Sequence, residues 1–199
     1  MEQSPPDIDR VQRIHDDIVH ATSQTNEAIE SIRALFKDAD QPQSLINLNE
    51  LIVECFQTLQ QELDEHRIAG RIDLDPTLPL VAGHRGQLRE ALLNIIQNAI
   101  EAMAASENGG RHLMFGTNRQ DQGEVIISVQ DTGPGLEQQS TTKIFDAFVT
   151  TKDKGMGLGL ALSRMIVEFH GGRIIHSDPG SGARFQIVLP IKMTPETAA

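Results

Sequence analysis

Leu88-Arg-Glu-Ala-Leu-Leu-Asn-Ile-Ile-Gln-Asn-Ala-Ile-Glu-Ala-Met103 is the segment that decides the fold. Leu88, Leu92, Ile95, Ile96, Ala99 and Met103 recur at spacings of three and four, which predicts a helix with one apolar face turned to a core. Beside that face, Glu90, Asn94 and Asn98 recur every four residues, with Glu101 three further on. Asparagine is a poor helix former because its side chain competes for backbone hydrogen bonds. Two in register inside a helix are either a solvated stripe or a pair of amides placed for a ligand. An amide oxygen is a hard, neutral donor that suits Mg²⁺ bound mainly to phosphate and water.

Working outward, strands are predicted at about His112 to Thr117 and Glu124 to Gln130, where Val125, Ile127 and Val129 alternate, and in a last strand that alternates Phe185, Ile187 and Leu189. A helix from about Gly159 to His170 ends at Gly171-Gly172, where glycine supplies a left-handed cap. Upstream, Asn49 is a candidate cap for a helix running to about His66, and Ile72 to Leu74 and Leu80 to Ala82 read as short strands around a Pro-flanked turn. Strands mixed with helices, not strictly alternating, predict an α+β fold: a two-layer sandwich with helices on one face of the sheet.

Before this lies a different pattern. Val11, Ile18, Thr25 and Ile32 interleave with Ile14, Ala21, Ala28 and Leu35 as two seven-residue series. Such a seam buries its stripe either against a helix of a second chain or against its own domain, and a homodimer through this helix is the expectation. Asp38-Ala-Asp-Gln-Pro-Gln43 reads as a linker, because proline disfavours helix for the residue before it. The division expected is therefore a helix and linker over 1–43, one main domain over 44–192 and a tail over 193–199.

The 199 residues carry 17 Lys and Arg against 28 Asp and Glu, a formal net charge of −11, which excludes a general binder of DNA or RNA backbones. Cys55 is alone, within the apolar run Leu51 to Phe56, so it reads as a buried thiol without an intramolecular disulfide. No secretory leader pattern opens the chain, and no stretch reaches the ~18 apolar residues of a membrane span. A cytoplasmic location without membrane contact is the expectation.

Two further segments bear on chemistry. Asp131-Thr-Gly-Pro-Gly135 follows a buried strand directly, and is either a plain tight turn or the edge of a pocket for a flat ring. In a pocket, Asp131 could accept from an exocyclic amine while Gly133 and Gly135 admit the ligand to the backbone. Gly155-Met-Gly-Leu-Gly-Leu160 opens the last helix, where exposed N–H groups favour phosphate. A dinucleotide fingerprint would need a strand just before it, and Thr150-Thr-Lys-Asp-Lys154 is polar and strand-poor. That stretch is better suited to a mobile lid, with Lys152 and Lys154 to neutralise phosphate charge.

In order along the chain, Asn94-Ile-Ile-Gln-Asn98-Ala-Ile-Glu-Ala-Met103 resembles the N box of the histidine kinase ATP-binding domain, and Asp131 to Gly135 its first glycine box. Ile144-Phe-Asp-Ala-Phe-Val-Thr-Thr-Lys152 resembles the F box, and Gly155 to Gly159 the second glycine box. The resemblance extends back through Leu48-Asn-Glu-Leu51 and on to His170-Gly-Gly172 and to Gly182 to Pro190. It is closest to the nitrogen-regulation and oxygen-sensing subgroup. It implies the Bergerat sandwich shared with gyrase, with ATP and Mg²⁺ as cofactors. Asn98 would coordinate the metal, Asn94 contact phosphate or a metal-bound water, and Asp131 read the adenine amine. Glu101, Gly133, Gly135, Thr151, Lys152, Gly155, Gly157, Leu158 and Gly159 would complete the nucleotide site. Ala183 stands where Thr often supports adenine, Glu101 where many relatives carry Lys, and Ala147 where Pro is usual.

The resemblance further implies transfer of the γ-phosphoryl group to a histidine on the first helix of a two-helix hairpin, then to an aspartate of a response regulator. The N-terminal helix fits the hairpin's second helix, so the acceptor is expected elsewhere; His15 in His15-Asp-Asp17, and His20, are the candidates within the chain. The alternatives are a nucleotide-binding dimerisation module without transfer, and an ATPase or serine kinase on the same fold, for which Glu90 would serve as the water-activating base.

Overall fold

The computed structural model describes residues 42–106, 110–120, 123–136, 143–149 and 157–191, together with Gln12, His15, Val19 and Thr22, which are helical and exposed. The heptad residues themselves, the linker before 42 and the tail lie outside the described residues. In chain order the elements are β1 (Ser44–Ile46), α1 (Leu48–Thr58), α2 (Gln60–Glu65), β2 (Ile68–Asp73), β3 (Val81–Gly83), α3 (Arg85–Ala104), β4 (Arg111–Gln120), β5 (Glu124–Asp131), α4 (Gly159–Phe169), β6 (Arg173–Ser177) and β7 (Arg184–Pro190).

The main sheet runs in the order β2-β4-β5-β7-β6, with β2 parallel to β4 and every other pairing antiparallel. β1 and β3 form a separate two-stranded antiparallel pair. The register puts Phe115, Val129, Phe185 and His176 in one row across four strands. The apolar face of α3 lies on the sheet as the spacing predicts: Leu92, Ile95, Ile96, Ile100 and Met103 join Leu113, Phe115, Val125, Ile127, Val129, Ile187 and Leu189 in one core. Fully burying such a side chain stabilises by roughly 1.5–3 kcal/mol, so this layer supplies much of the driving force. The result is the α+β two-layer sandwich.

Polar ties fix the helices on the sheet. The Arg111 guanidinium donates to the carbonyls of His66 (2.8 Å) and Ser106 (2.9 Å), satisfying groups left open where α2 and α3 end. His170, 1% exposed, accepts the His84 N–H at Nε2 (3.0 Å), so the proton sits on Nδ1, which donates to the Ile166 carbonyl (2.7 Å). One neutral imidazole thus joins the end of α4 to the start of α3. Gly171, at φ 77°, lets the chain turn there, and the Gly172 N–H returns to Val167 (2.9 Å).

Several expectations are corrected. Asn47, not Asn49, caps α1: its backbone is extended (φ −81°, ψ 105°), and its oxygen accepts from the N–H groups of Asn49 and Glu50. The Asn49 amide instead donates to the Asp75 carbonyl (2.7 Å) and accepts from the Thr117 hydroxyl (2.9 Å), tying the turn after β2 to β4. The helix expected to reach His66 is broken at Leu59 into α1 and α2. β1 and β6 have no counterpart among the predicted strands, because three residues in one case and a half-exposed edge in the other give no alternation to read.

Cys55 is buried, and burial pushes its thiol up to about 12. At pH 8 the folded protein is expected to leave a disulfide reagent unreacted, with a full equivalent of thiol titrating once denaturant unfolds it. Rapid labelling without denaturant would contradict this packing.

Candidate functional site

The polar stripe of α3 acquires its geometry from α4. Ser163, fully buried, shares its hydroxyl hydrogen between the carbonyls of Ala91 (3.1 Å) and Gly159 (2.9 Å), seating the first turn of α4 on α3. A Cβ on Gly159 would lie 3.7 Å from both Asn94 Cγ and Asn98 Nδ2. The glycine backbone is therefore in reach of both amides, and any side chain would fill the space over them. Asn98 Nδ2 donates to the Asn94 carbonyl (2.8 Å), which settles the amide's orientation. Asn94 Nδ2 is buried without a hydrogen-bond partner among the described residues. A buried unpaired amide costs ~1–3 kcal/mol, a cost that a bound anion or water would remove.

Leu158 stands at the N-cap of α4, and no side chain caps the helix's first N–H groups among the described residues. Those groups and the positive end of the helix dipole face the same place as the two amides. Gly157 (φ 66°) approaches so closely that a Cβ would fall 2.3 Å from the Val149 carbonyl oxygen. Val149 and Gly157, which flank Thr151, Lys152 and Gly155 in sequence, are thus in direct backbone contact. Those three residues lie outside the described residues.

The other end of the site is built around Asp131, the last residue of β5 and 2% exposed. Its Oδ1 accepts the N–H groups of Gly133 (2.8 Å) and Ala183 (3.2 Å). Burial pushes the carboxyl above its ordinary pKa, opposed by these two donors. The turn lies against the end of α3: a Cβ on Gly133 would be 3.5 Å from Met103 Cγ and from the Ala102 backbone. Gly135 (φ 75°) and Gly182 (φ 77°) meet across it, a Cβ on Gly135 lying 3.0 Å from the Gly182 oxygen. Phe145 packs edge-on against Phe185, 6.3 Å between centroids.

These elements form one candidate site along α3, with a carboxylate and glycine turn against Ala102 and Met103 and two amides and a helix start near its middle. The sequence profile of the histidine kinase-, DNA gyrase B- and HSP90-like ATPases matches residues 83–193, which contain all of it. The chain belongs to that family.

Among relatives of this ATPase-family chain, the sensor protein FixL of Bradyrhizobium diazoefficiens is 33% identical over 189 residues, covering 94% of this chain and 37% of FixL. The chain thus spans little more than a third of that relative. The catalytic domain of histidine kinase ThkA superposes with a TM-score of 0.67 at 30% identity, covering 75% of this chain and 97% of that domain. ThkA in complex with response regulator protein TrrA gives 0.71 at 25% identity, covering 98% of this chain and 54% of ThkA. Full-length ShkA in complex with AMPPNP gives 0.75 at 25% identity, with coverages of 98% and 41%. The fold is that of a histidine kinase ATP-binding domain.

Within this ATPase-family site the fold brings Asn94, Asn98, Leu158 and Gly159 to one end and Asp131, Gly133 and Gly135 to the other. Glu90 is half-buried one turn before Asn94, and Glu101 is exposed near the end of α3. Ala183 supports Asp131 through its backbone N–H, a contribution that does not depend on its side chain. Gly182 and Phe185 were not singled out as site residues; the glycine-rich hairpin Pro179-Gly-Ser-Gly182 was the available signal for the first. Among the described residues, no helix is long and apolar enough to cross a membrane.

Proposed function

We propose that the chain is the ATP-binding catalytic part of a sensor histidine kinase, which transfers the γ-phosphoryl group of ATP to a histidine on a dimerisation helix pair for relay to a response regulator. The observation that carries this reading is the buried, unpartnered Asn94 amide facing the start of α4, near the middle of α3 and two turns before the residues that Asp131's glycine turn lies against. Eight residues of helix, about 12 Å, separate Asn94 from Ala102 beneath the glycine turn. That span suits a nucleotide whose base lies at Asp131 and whose phosphates lie at Asn94.

In this reading Asp131 accepts the exocyclic amine of adenine, and Gly133 and Gly135 let the base approach the backbone. Asn94, with the N–H groups of Leu158 and Gly159, holds phosphate oxygens, joined by Gly155, Gly157, Thr151 and Lys152 from the lid, and Asn98 presents its oxygen to Mg²⁺. No three His, Cys, Asp or Glu side chains converge to cage a metal among the described residues, so the cation would take its other ligands from phosphate and water. Bound there, Mg²⁺ would neutralise charge on the phosphates. The protein's own part is positioning: it holds ATP with the γ-phosphate outward for in-line attack by an imidazole arriving from the hairpin.

The division at residue 43, the homodimer through the N-terminal helix, the receiver-domain partner and the cytoplasmic location belong to the same proposal. They are supported by the heptad series and by the need for ATP.

The test is calorimetry followed by transfer. ATP should bind in the presence of Mg²⁺, and Asn98→Ala should abolish the Mg²⁺ dependence. A separately supplied acceptor hairpin should then gain acid-labile, base-stable label from γ-labelled ATP. Absence of Mg²⁺-dependent binding defeats the proposal; binding without transfer leaves a nucleotide module.

A further inference from the structure

Helices α3 and α4 run antiparallel, and contacts join them at three successive levels. At the first, His170, just past the end of α4, accepts the N–H of His84, the N-cap of α3, at Nε2 (3.0 Å) and donates from Nδ1 to the Ile166 carbonyl (2.7 Å). At the second, seven residues further along α3 and seven back along α4, the Ser163 hydroxyl meets the Ala91 carbonyl (3.1 Å). At the third, Gly159 faces the site amides: its Cβ position lies 3.7 Å from Asn94 Cγ and from Asn98 Nδ2. Seven residues of helix rise about 10.5 Å, so the two polar ties match in spacing on both helices and fix where the start of α4 stops against α3.

Apolar packing alone leaves that register soft, because its attraction has no preferred direction, whereas a hydrogen bond weakens steeply outside a narrow range of length and angle. The Ser163 hydroxyl is not needed to satisfy the core. An interior helix carbonyl such as that of Ala91 is already bonded within its own helix, so alanine at 163 would leave no backbone group open. At 170 an apolar side chain could occupy the space beside Gly83, whose Cβ position lies 2.7 Å from the imidazole, but it would offer His84 no acceptor. Resting on the ATP-binding reading above, we propose that His170 and Ser163 are positioning residues for the phosphate end of the site. They set the register that places the N–H groups at the start of α4 over the Asn94 and Asn98 amides. The base end, built on Asp131 at the end of β5 and Ala183 just before β7, does not depend on them.

The experiment measures ATP and adenosine affinities by calorimetry, both with Mg²⁺, on the whole chain well below its melting temperature. Adenosine engages the base end alone, so the ratio of the two affinities isolates the phosphate end. His170→Leu should weaken ATP by about 10-fold, the loss of one hydrogen bond to a charged group, and leave adenosine within about twofold. His170→Gln, whose amide oxygen can accept the His84 N–H, should recover ATP affinity. A tie that only fastens the fold would lower Tm and leave the ratio unchanged. That result, or an equal loss of ATP and adenosine, overturns the inference while ATP binding stands. Should His170→Leu not fold, Ser163→Ala decides: a selective loss of ATP affinity supports the register, and an unchanged ratio overturns it. If wild type binds neither ATP nor adenosine, the nucleotide reading itself fails and this one with it.

Discussion

Replacing Asp131 by Asn is expected to weaken ATP binding roughly 10- to 150-fold, the value of a hydrogen bond to a charged group, while leaving the domain at least as stable. The loss follows from donor–acceptor matching. In the proposed site the carboxylate accepts from an exocyclic amine, whereas the amide's NH₂ would oppose that amine with a second donor. The amide oxygen can still receive the Gly133 and Ala183 N–H groups, so the turn keeps its shape. Stability goes the other way because of the sign of the pKa shift. Burial raises the Asp131 pKa above its unfolded value of 3.8, so its favourable contribution is complete below that value and is lost as pH rises through the folded pKa. At neutral pH the ionised group opposes folding, and the neutral amide removes that opposition. Wild-type ATP affinity should correspondingly fall as acid protonates the carboxyl. Calorimetry and thermal melts on the same two proteins test both halves; unchanged ATP affinity would remove Asp131 from the base site, and a large loss of Tm would make it structural.

How much of this was legible beforehand depended on whether a residue's role is written in its neighbours along the chain. The apolar period of α3 fixed its buried face, while the asparagines beside that face were legible only as either a solvated stripe or a pair of amides placed for a ligand. Asp131 was likewise marked by the end of an alternating strand followed by glycines. The roles that escaped come from partners distant in sequence. Asn49 and Asn47 are equally good caps by composition; what separates them is that the amide of Asn49 is committed to Asp75 and Thr117, 26 and 68 residues away. Strand β6 exists because β7 offers it an edge, and its half-exposed residues show no period. His176 reads as one polar residue in that edge, and its packing is apparent only when Phe185 is placed beside it. Gly182 belongs to the same class: its glycine-rich hairpin was visible, but not the carbonyl it crosses.

The second large effect is expected at Gly182. A Cβ there would lie 2.0 Å from the Asp131 carbonyl oxygen and 2.6 Å from its carbon, contacts with backbone that no rotamer change relieves. The residue also sits at φ 77°, where an L side chain costs about 1–2 kcal/mol. Overpacking adds typically 1–3 kcal/mol, so Gly182→Ala should destabilise by ~2–5 kcal/mol. Against a total of ~5–15 kcal/mol that is a large share, readable as a shift of the urea midpoint. Binding should suffer beyond stability, because the strand ends are joined here: the Asp131 N–H donates to the Ala183 carbonyl (3.0 Å), and the Ala183 N–H returns to the Asp131 carboxylate (3.2 Å). Pushing them apart moves the Asp131 carboxylate, the group proposed to accept the adenine amine. Gly180 is the internal control, in the same hairpin at φ 87° but with nothing within 4 Å of its Cβ position. Gly180→Ala carries the backbone strain without the collision, so it should cost ~1–2 kcal/mol and leave ATP affinity intact. Equal losses in the two variants would mean that backbone strain alone sets the cost, and that Gly182 is a turn residue and not the support of the nucleobase pocket.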